Sequence, residues 1–187
     1  MITLLDLDGV CADFYSGAAR LAGVPSIATA ENRRKGPSIR CSYDLGKTLG
    51  AGIWGNIRIE GARFWSNLEP LPWLDELVDI VEGRSEEVYV CSSPGGQLAG
   101  GSVPGKMEWC RKHLPGIPQR NLIFTGHKHL LAAPDRLLID DSDDMLDRFD
   151  EAGGLTWCMP QPWNESFSDT VFPVTALLRE FLDGDMR

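Results

Sequence analysis

The stretch LLDLDGVCADF, residues 4–14, places two aspartates at the end of the first predicted strand. It opens with apolar residues typical of a buried strand, and Asp6 and Asp8 follow just ahead of a glycine. On its own, such a pair of aspartates is more often part of a turn or a solvated loop. In a parallel α/β sheet, however, ligands bind at the carboxyl ends of the strands. We therefore expect the two aspartates at the edge of a sheet where a ligand binds.

Short apolar runs alternate with helical patterns along most of the chain. The runs predict strands at Ile2–Asp6, Glu87–Ser92, Asn121–Thr125, Arg136–Asp140 and Leu155–Met159. Apolar residues at helical spacing predict helices at 72–83, 104–116, 142–154 and about 173–182, with Ser142 as the N-cap of the third. This alternation is typical of a parallel sheet covered by helices. The predicted fold class is α/β, a three-layer sandwich around a parallel, Rossmann-like sheet.

Residues 15–70 break the alternation. They contain a basic stretch, ENRRKG, a glycine-rich stretch, LGKTLGAGIWG, and the aromatic pair Phe64 and Trp65, but no clear strand. We interpret this segment as a small, mostly helical cap inserted after the first strand. The core would then comprise residues 1–14 and 71–187.

Composition narrows the choice of partner and compartment. A formal net charge of -9 over 187 residues argues against a polymeric nucleic acid as partner. No apolar run approaches the roughly 18 residues of a membrane span, and no basic segment of a secretion signal precedes the first strand. The chain has five scattered cysteines and no CxxC pair, which favours reduced thiols and predicts a cytoplasmic location. These cysteines are Cys11, Cys41, Cys91, Cys110 and Cys158.

Three predicted strands end in polar residues suited to chemistry. These ends are Asp6-Leu7-Asp8, Ser92-Ser93 and Asp140-Asp141. Four carboxylates at one edge of a sheet repel one another by several kcal/mol when left bare (~4 kcal/mol per close pair at intermediate dielectric). A divalent cation removes that cost, and hard oxygen ligands favour Mg²⁺. The sequence thus predicts a magnesium site at the sheet edge.

Aspartates beside a magnesium ion are suited to phosphoryl transfer. One aspartate can attack phosphorus, and its neighbour two residues on can act as acid and base. The phosphoryl oxygens also need a hydroxyl, backbone N–H groups and a lysine, for which Ser92 and Lys106 are well placed. Each residue alone has an ordinary structural explanation, but their joint order along the chain indicates an active site.

A competing motif is GGSVPGKM, residues 100–107, which fits the first part of a nucleoside triphosphate loop, G-x-x-x-x-G-K. Met107 stands where that loop requires a serine or threonine, and Pro104 lacks an N–H for a phosphate. These departures argue against triphosphate binding.

Several motifs together resemble those of the haloacid dehalogenase superfamily of phosphatases, and more narrowly the 5'(3')-deoxyribonucleotidase family. The four superfamily motifs are matched by DLDGVCADF (6–14), VYVCSSP (88–94), GKMEWCRKH (105–113) and LLIDD (137–141). The narrower likeness adds NLEPLP (67–72), the spacing of Lys106 to Trp109, and QPWN (161–164). The likeness extends from residue 4 to about 165 and is weakest in the insertion.

The resemblance implies roles for the aspartates. Asp6 would be the nucleophile and Asp8 the acid and base, with the backbone carbonyl of Asp8 also on magnesium. Asp141 would bind the metal directly, and Asp140 would lie behind it or bind through water. Which of the two is the direct ligand stays open.

The resemblance also implies a phosphate site and a nucleoside pocket. Ser92, with its neighbour Ser93, would bind the phosphoryl group, and Lys106 would hold its charge and orient Asp6. Lys128 matches a lysine that contacts phosphate, and Phe14 matches a residue of the nucleoside pocket.

Two regions depart from the family pattern. Gly126-His127-Lys128 stands where the family often has Arg-Asp-Lys, so a bidentate phosphate contact is lost. His127 or an arginine of the insertion (Arg33, Arg34 or Arg40) is an alternative contact. The base-stacking aromatics of the insertion are expected among Tyr43, Trp54 and Trp65, whereas Phe64 fits core packing better.

The expected function is magnesium-dependent hydrolysis of a (deoxy)nucleoside monophosphate through an aspartyl-phosphate. The same chemistry on another small phosphomonoester or on a nucleic-acid 3'-phosphate is the first alternative. A non-catalytic phosphate- or partner-binding protein is the second. A homodimer is one of the oligomeric states that the sequence leaves open.

Overall fold

The centre of the molecule is a five-stranded parallel sheet, as seen in a computed structural model that describes residues 1–26, 44–96, 100–167 and 174–185. Its strands are β1 (Ile2–Leu5), β2 (Glu87–Ser92), β3 (Leu122–Phe124), β4 (Arg136–Asp140) and β5 (Leu155–Cys158). The order across the sheet is β3-β2-β1-β4-β5. The predicted parallel sheet is confirmed.

Three strands are shorter than predicted because their flanking residues leave the ladder. Asp6, Thr125 and Met159 each donate one backbone hydrogen bond to a neighbouring strand, after which the chain turns away. Asn121 belongs instead to a short 3₁₀ helix, Gln119–Asn121.

Eight α-helices occur in the described residues. They are α1 (Phe14–Ala22), α2 (Leu45–Leu49), α3 (Ile53–Glu60), α4 (Ala62–Ser66), α5 (Leu74–Arg84), α6 (Ser102–His113), α7 (Asp143–Glu151) and α8 (Val174–Asp185). The four predicted helices correspond to α5 to α8, with bounds shifted by a few residues. Ser142 precedes α7 as expected, but its side chain makes no capping hydrogen bond; its N–H donates instead to Asp140 Oδ1 at 3.0 Å.

Alternate residues of the central strands pack on opposite faces of the sheet, which gives three layers. One face packs against α5, α6 and α8, and contributes Leu5, Val90 and Ile139. The other face packs against α7, and contributes Leu4, Cys91 and Leu138. Because both faces are covered, the strands read as continuous apolar runs.

The described part of residues 15–70 is helical and contains no strand, as predicted. Helix α1 begins at Phe14 because the Asp13 side chain accepts a hydrogen bond from Ser16 N at 3.1 Å. The two ends of the segment lie side by side, since Asp13 N donates to Glu69 O and Leu71 N donates to Cys11 O, both at 2.8 Å. This pairing accounts for the NLEPLP motif and is what an insertion into the core requires. The division at residues 15 and 70 remains a prediction.

Four cysteines fall within the described ranges, and they are free thiols. Cys11, Cys91 and Cys110 are buried, and Cys158 is half-buried. Burial raises the pKa of each of these thiols, so they are neutral at pH 7. Among the described helices, none combines the length and apolar character that a membrane span needs.

Candidate active site

The register of the sheet brings the ends of β1, β2 and β4 together. Leu5 lies beside Val90 on one side and beside Ile139 on the other. Asp6 therefore emerges next to Asp140, while Ser92 ends the neighbouring strand on the other side. This edge is the switch point of the sheet: β1 connects to β2 on one side, and the chain later returns from β3 to β4 on the other side of β1, so that a crevice opens there.

Four aspartates form what we call the carboxylate edge: Asp6, Asp8, Asp140 and Asp141. Asp6, Asp140 and Asp141 are buried, and each offers an oxygen within 4.8 Å of those of the other two. Burial, together with the charges of Asp140 and Asp6, raises the pKa of Asp141 well above its usual value. Three buried carboxylates this close are unfavourable without a compensating cation. Their oxygens are hard donors at a spacing suited to one Mg²⁺, so the residues fit the predicted ion.

Lys128 supplies part of the compensating charge. Its Nζ lies 2.8 Å from Asp6 Oδ1 and 2.6 Å from Asp140 Oδ2, and the side chain is 2% exposed. Burial disfavours the charged amine, but Asp6 and Asp140 outweigh it and raise the pKa of Lys128. Lys128 is therefore a permanent cation between two strand ends.

The contacts of Asp140 and Asp141 distinguish the two residues. Both oxygens of Asp140 are engaged, Oδ2 by Lys128 and Oδ1 by the N–H of Ser142. Asp141 receives a hydrogen bond on Oδ2 from Trp163 Nε1 at 2.7 Å, and its Oδ1 receives none from the described residues. The geometry favours Asp141 as the direct ligand of a cation and Asp140 as the partner of Lys128.

Lys106 occupies the opposite side of the edge. Its Nζ donates to Asp8 Oδ2 at 2.7 Å, to Ser92 Oγ at 3.0 Å and to the carbonyl oxygen of Ser93 at 2.7 Å. The resemblance implies that Lys106 orients Asp6, but this expectation is wrong: the ion pair of Asp6 is with Lys128. The reason is the face of the sheet on which each lysine lies. Helix α6, which carries Lys106, packs on the face of Leu5 and Val90, whereas residues 128–131 pack with α7 on the opposite face.

Asp8 has the environment of an acid. Its Oδ1 is shielded from solvent and has no hydrogen-bond partner among the described residues, while Oδ2 is held by Lys106. Burial and the charge of Asp6 raise the pKa of Asp8, although Lys106 opposes them. A proton on Asp8 is thus retained to higher pH than on an exposed aspartate.

A cavity of about 140 Å³ opens from the carboxylate edge. Asp8, Asp141, Lys106 and Ser93 lie at its polar end. The remainder is mostly what we call the aromatic wall, which is formed by Phe14, Tyr15, Trp54, Trp65 and Trp163. Three of the four predicted pocket residues, Phe14, Trp54 and Trp65, thus line one cavity. The fourth, Tyr43, lies outside the described residues, as do Arg33, Arg34 and Arg40.

Trp65 joins the wall to the polar end. Its ring stacks on Phe14 at 5.2 Å with an interplanar angle of 6°, and Lys106 Nζ lies 4.9 Å from its centroid. Phe64 packs edge-on against both aromatic rings and belongs to the core, as predicted. His127 is exposed and packs edge-on against His129, and it does not line the cavity.

The glycine-rich stretch at 100–107 is a packing motif. A Cβ on Gly101 would lie 2.2 Å from Ala62 N, and one on Gly105 would lie 2.4 Å from Ala62 O and 2.6 Å from Trp65 Cβ. These glycines let α6 approach α4 closely, which brings Lys106 beneath Trp65. Trp109, one turn further on, donates from Nε1 to Leu68 O at 2.8 Å.

Sequence reasoning missed Tyr15 and Trp163. Tyr15 follows Phe14 on α1, and its ring stacks on that of Trp163 at 5.4 Å. The motif QPWN supports the family likeness, but the likeness gives it no role. In the structure its glutamine, tryptophan and asparagine all contact the site. The available signal was the cluster of hydrogen-bonding side chains around Pro162.

A family model and two named relatives match most of this chain. The model of the family described as 5' nucleotidase, deoxy (pyrimidine), cytosolic type C protein matches residues 1–172. The chain belongs to this family. It is 30% identical over 154 residues to the mitochondrial 5'(3')-deoxyribonucleotidase of Mus musculus, covering 76% of this chain and 64% of that protein. The corresponding human protein is 29% identical over 154 residues, covering 76% and 62%. The matched segments thus span less than two thirds of these relatives.

The fold of this chain is similar to that of a solved haloacid dehalogenase-like structure. A haloacid dehalogenase-like hydrolase from Streptococcus pneumoniae superposes with a TM-score of 0.53 at 14% identity, covering 96% of this chain and 97% of that one. The resemblance to the haloacid dehalogenase fold is therefore confirmed.

Proposed function

We propose that this protein is a Mg²⁺-dependent phosphomonoester hydrolase that acts on (deoxy)nucleoside monophosphates through an aspartyl-phosphate. The observation that carries the proposal is the juxtaposition of the carboxylate edge, two buried lysines and an aromatic cavity. A protein that only binds phosphate has no use for a nucleophile beside an acid, so this juxtaposition favours an enzyme. The family to which the chain belongs, described as a 5' nucleotidase, also favours an enzyme.

In the first step, a carboxylate oxygen of Asp6 attacks phosphorus and the bond from phosphorus to the ester oxygen breaks. Asp8 gives its proton to that oxygen, which leaves as the hydroxyl of a nucleoside. Lys106 and the Ser92 hydroxyl neutralise phosphoryl oxygens at the polar end of the cavity, with the backbone N–H of Ser93 as a further donor. Lys128 holds Asp6 in place for the attack.

In the second step, Asp8 takes a proton from a water molecule that attacks phosphorus. The acyl-phosphate bond breaks, inorganic phosphate leaves and Asp6 is restored as a carboxylate. A bound Mg²⁺ supplies positive charge against the phosphoryl oxygens and lowers the repulsion between the carboxylates. Asp6, Asp141 and the backbone carbonyl of Asp8 would hold it, with Asp140 fixed by Lys128 behind them.

The substrate side of the proposal is supported by the aromatic wall. Flat aromatic faces beside a phosphate site suit the stacking of a nucleobase. Residues 15–70 would act as a cap that shields the reaction from bulk water, and Trp65 would connect that cap to the phosphate side. Free thiols in the described residues favour a reducing compartment, which supports the proposed cytoplasmic location.

The test compares the parent protein with Asp6→Asn on dUMP, dTMP, a sugar phosphate and a 3'-phosphorylated oligonucleotide. We expect hydrolysis of the nucleotides in Mg²⁺, none in chelator, and a loss of at least ~10⁴-fold in kcat for the variant. Asp79→Asn, an exposed change on α5, is the matched control and should keep full activity.

Each arm can overturn one part of the proposal. Parental rates in Asp6→Asn would refute the nucleophile, and full activity in chelator would refute the metal. Preferential turnover of the sugar phosphate or the oligonucleotide would replace the proposed substrate class. No turnover of any phosphomonoester would favour a binding protein on the same scaffold.

A further inference from the structure

The turn Gln161–Asn164 follows β5 and folds back against the carboxylate edge. Asn164 Nδ2 donates to the carbonyl oxygens of Asp141 at 2.9 Å and of Met159 at 2.7 Å. Asn164 Oδ1 accepts from Gln161 N at 3.1 Å. Gln161 and Asn164 are 0% and 2% exposed. Because these bonds tie the turn to itself and to the end of β4, the turn has one defined position.

This turn reaches both sides of the site. Gln161 Nε2 donates to the carbonyl oxygen of Gly9, in the loop that carries Asp6 and Asp8. Trp163 Nε1 donates to Asp141 Oδ2 at 2.7 Å. One short turn therefore contacts the nucleophile loop and the carboxylate that is the best direct metal ligand.

The Asp141 carboxylate lies in a narrow slot. A Cβ on Gly9 would lie 2.3 Å from Asp141 Oδ2 and 3.2 Å from Trp163 Cζ2. The backbone of Gly9 thus forms one wall of the slot and the indole of Trp163 the other. With Oδ2 held by the indole N–H, Oδ1 is the carboxylate oxygen that receives no hydrogen bond from the described residues.

The indole is itself held in place. Its ring stacks on Tyr15 at 5.4 Å with an interplanar angle of 22°, and it lines the cavity. Tyr15 is buried on α1. The donor that fixes Asp141 is therefore supported by a rigid neighbour.

We propose that Trp163 is a positioning residue for the cation: its N–H fixes the carboxylate of Asp141 so that Oδ1 is preorganised as a ligand, and Gln161 fixes the opposite wall of the slot. This inference rests on the proposed function, which assigns Mg²⁺ to the carboxylate edge. Groups that orient metal ligands in this way change metal affinity or activity by about 10- to 100-fold when they are removed.

The experiment titrates MgCl₂ into the metal-free protein by calorimetry and follows the Mg²⁺-induced rise in Tm. Trp163→Phe keeps an aromatic ring beside Tyr15 and removes the N–H donor together with part of the indole. We expect its Mg²⁺ affinity to fall about 10- to 100-fold. Its Mg²⁺ concentration for half-maximal hydrolysis should rise by the same factor.

Trp109→Phe is the matched control. It removes an indole N–H that donates to Leu68 O in the core, away from the carboxylates. It should lower the Tm but leave Mg²⁺ affinity unchanged, which separates positioning from packing. Gln161→Met is a second variant that should also weaken Mg²⁺ binding, and it decides the matter if Trp163→Phe does not fold.

The outcomes separate the two proposals. A parent protein that binds Mg²⁺ alongside a Trp163→Phe variant of equal affinity would overturn this inference and leave the proposed function standing. Unchanged Mg²⁺ affinity in Gln161→Met would overturn the role proposed for Gln161 in fixing the Gly9 wall of the slot. A parent protein that does not bind Mg²⁺ would overturn the proposed function and this inference with it.

Discussion

The carboxylate edge and the aromatic wall share one cavity but are built in different ways. The carboxylate edge follows directly from strand register, since Leu5 lies between Val90 and Ile139 and the charged residues come next along each chain. The aromatic wall is assembled from α1, the later helices α3 and α4 of the insertion, and the turn after β5, elements that are distant in sequence. The chemistry is therefore fixed by the sheet, whereas the shape of the cavity depends on how separate segments pack.

The two lysines divide the carboxylate edge in a corresponding way. Lys128 pairs with Asp6 and Asp140 at the buried side, where the exposed fraction of the Asp6 side chain is 9% and that of Asp140 is 2%. Lys106 pairs with Asp8, which is 24% exposed and faces the cavity. Lys128 thus stabilises the buried side of the site, whereas Lys106 lines the cavity.

A comparison of Lys128→Met with Lys106→Met tests this division. Lys128→Met has the largest expected effect on stability. Loss of Lys128 leaves Asp6 and Asp140 buried without their cation, so we expect the free energy of unfolding to fall by about 3 kcal/mol in metal-free protein. Urea unfolding in chelator measures it. Lys106→Met should cost clearly less, because Asp8 is partly solvated, yet should still abolish most activity. Equal losses of stability would contradict the division.

The residues that end strands could be predicted to lie together from the sequence, because a parallel sheet places the carboxyl ends of its strands at one edge. Asp6, Asp8, Ser92, Asp140 and Asp141 could therefore be assigned together. The partners of the lysines could not be assigned, because they depend on the face of the sheet on which each lysine lies. Lys106 and Lys128 both follow strands on the β2 side of β1, and only the packing of α6 on one face and of residues 128–131 on the other separates them.

The missed residues have a similar explanation. Trp163 lies 22 positions after Asp141 in an irregular turn, where no periodicity predicts the direction of a side chain. Tyr15 lies next to the predicted Phe14, but which face of α1 meets the cavity depends on the packing of that helix. The glycines at 101 and 105 resembled a phosphate loop because close packing and phosphate binding both demand the absence of a side chain.

Gly105→Ala tests the contact between α4 and α6, where the aromatic wall meets the carboxylate edge. Its expected effect is intermediate. The added methyl group would lie 2.4 Å from Ala62 O, so α4 must move and shift Trp65 away from Lys106. We expect KM for the nucleotide to rise several-fold, with a smaller change in kcat. Steady-state kinetics on dTMP measure both constants.

Gly83→Ala is the control for this change. Gly83 lies on α5, and a Cβ there meets nothing within 4 Å. Alanine should stabilise that helix by about 0.5–1 kcal/mol and leave KM unchanged. A Gly105→Ala variant with parental KM would show that the α4–α6 contact does not shape the cavity.

Trp54→Ala addresses the aromatic wall alone and has the smallest expected effect. The ring of Trp54 lies 6.0 Å from that of Phe14 and lines the cavity. Loss of one stacking face should weaken nucleotide binding by ~1 kcal/mol, which is about fivefold in KM. The KM for a small aliphatic phosphate should not change. Ile59→Ala, on the same helix and 84% exposed, is the control; equal losses for both substrates would assign Trp54 to packing.

The proposed mechanism requires a dication at the carboxylate edge beside the nucleophile. A crystal structure of the protein grown with MgCl₂ and inorganic phosphate would show whether the ion binds there. We predict one octahedral ion with oxygens of Asp6 and Asp141 among its ligands at about 2.1 Å, and with Lys128 still on Asp140. An ion bound elsewhere, or phosphate bound at the edge with no ion between these two aspartates, would contradict the account.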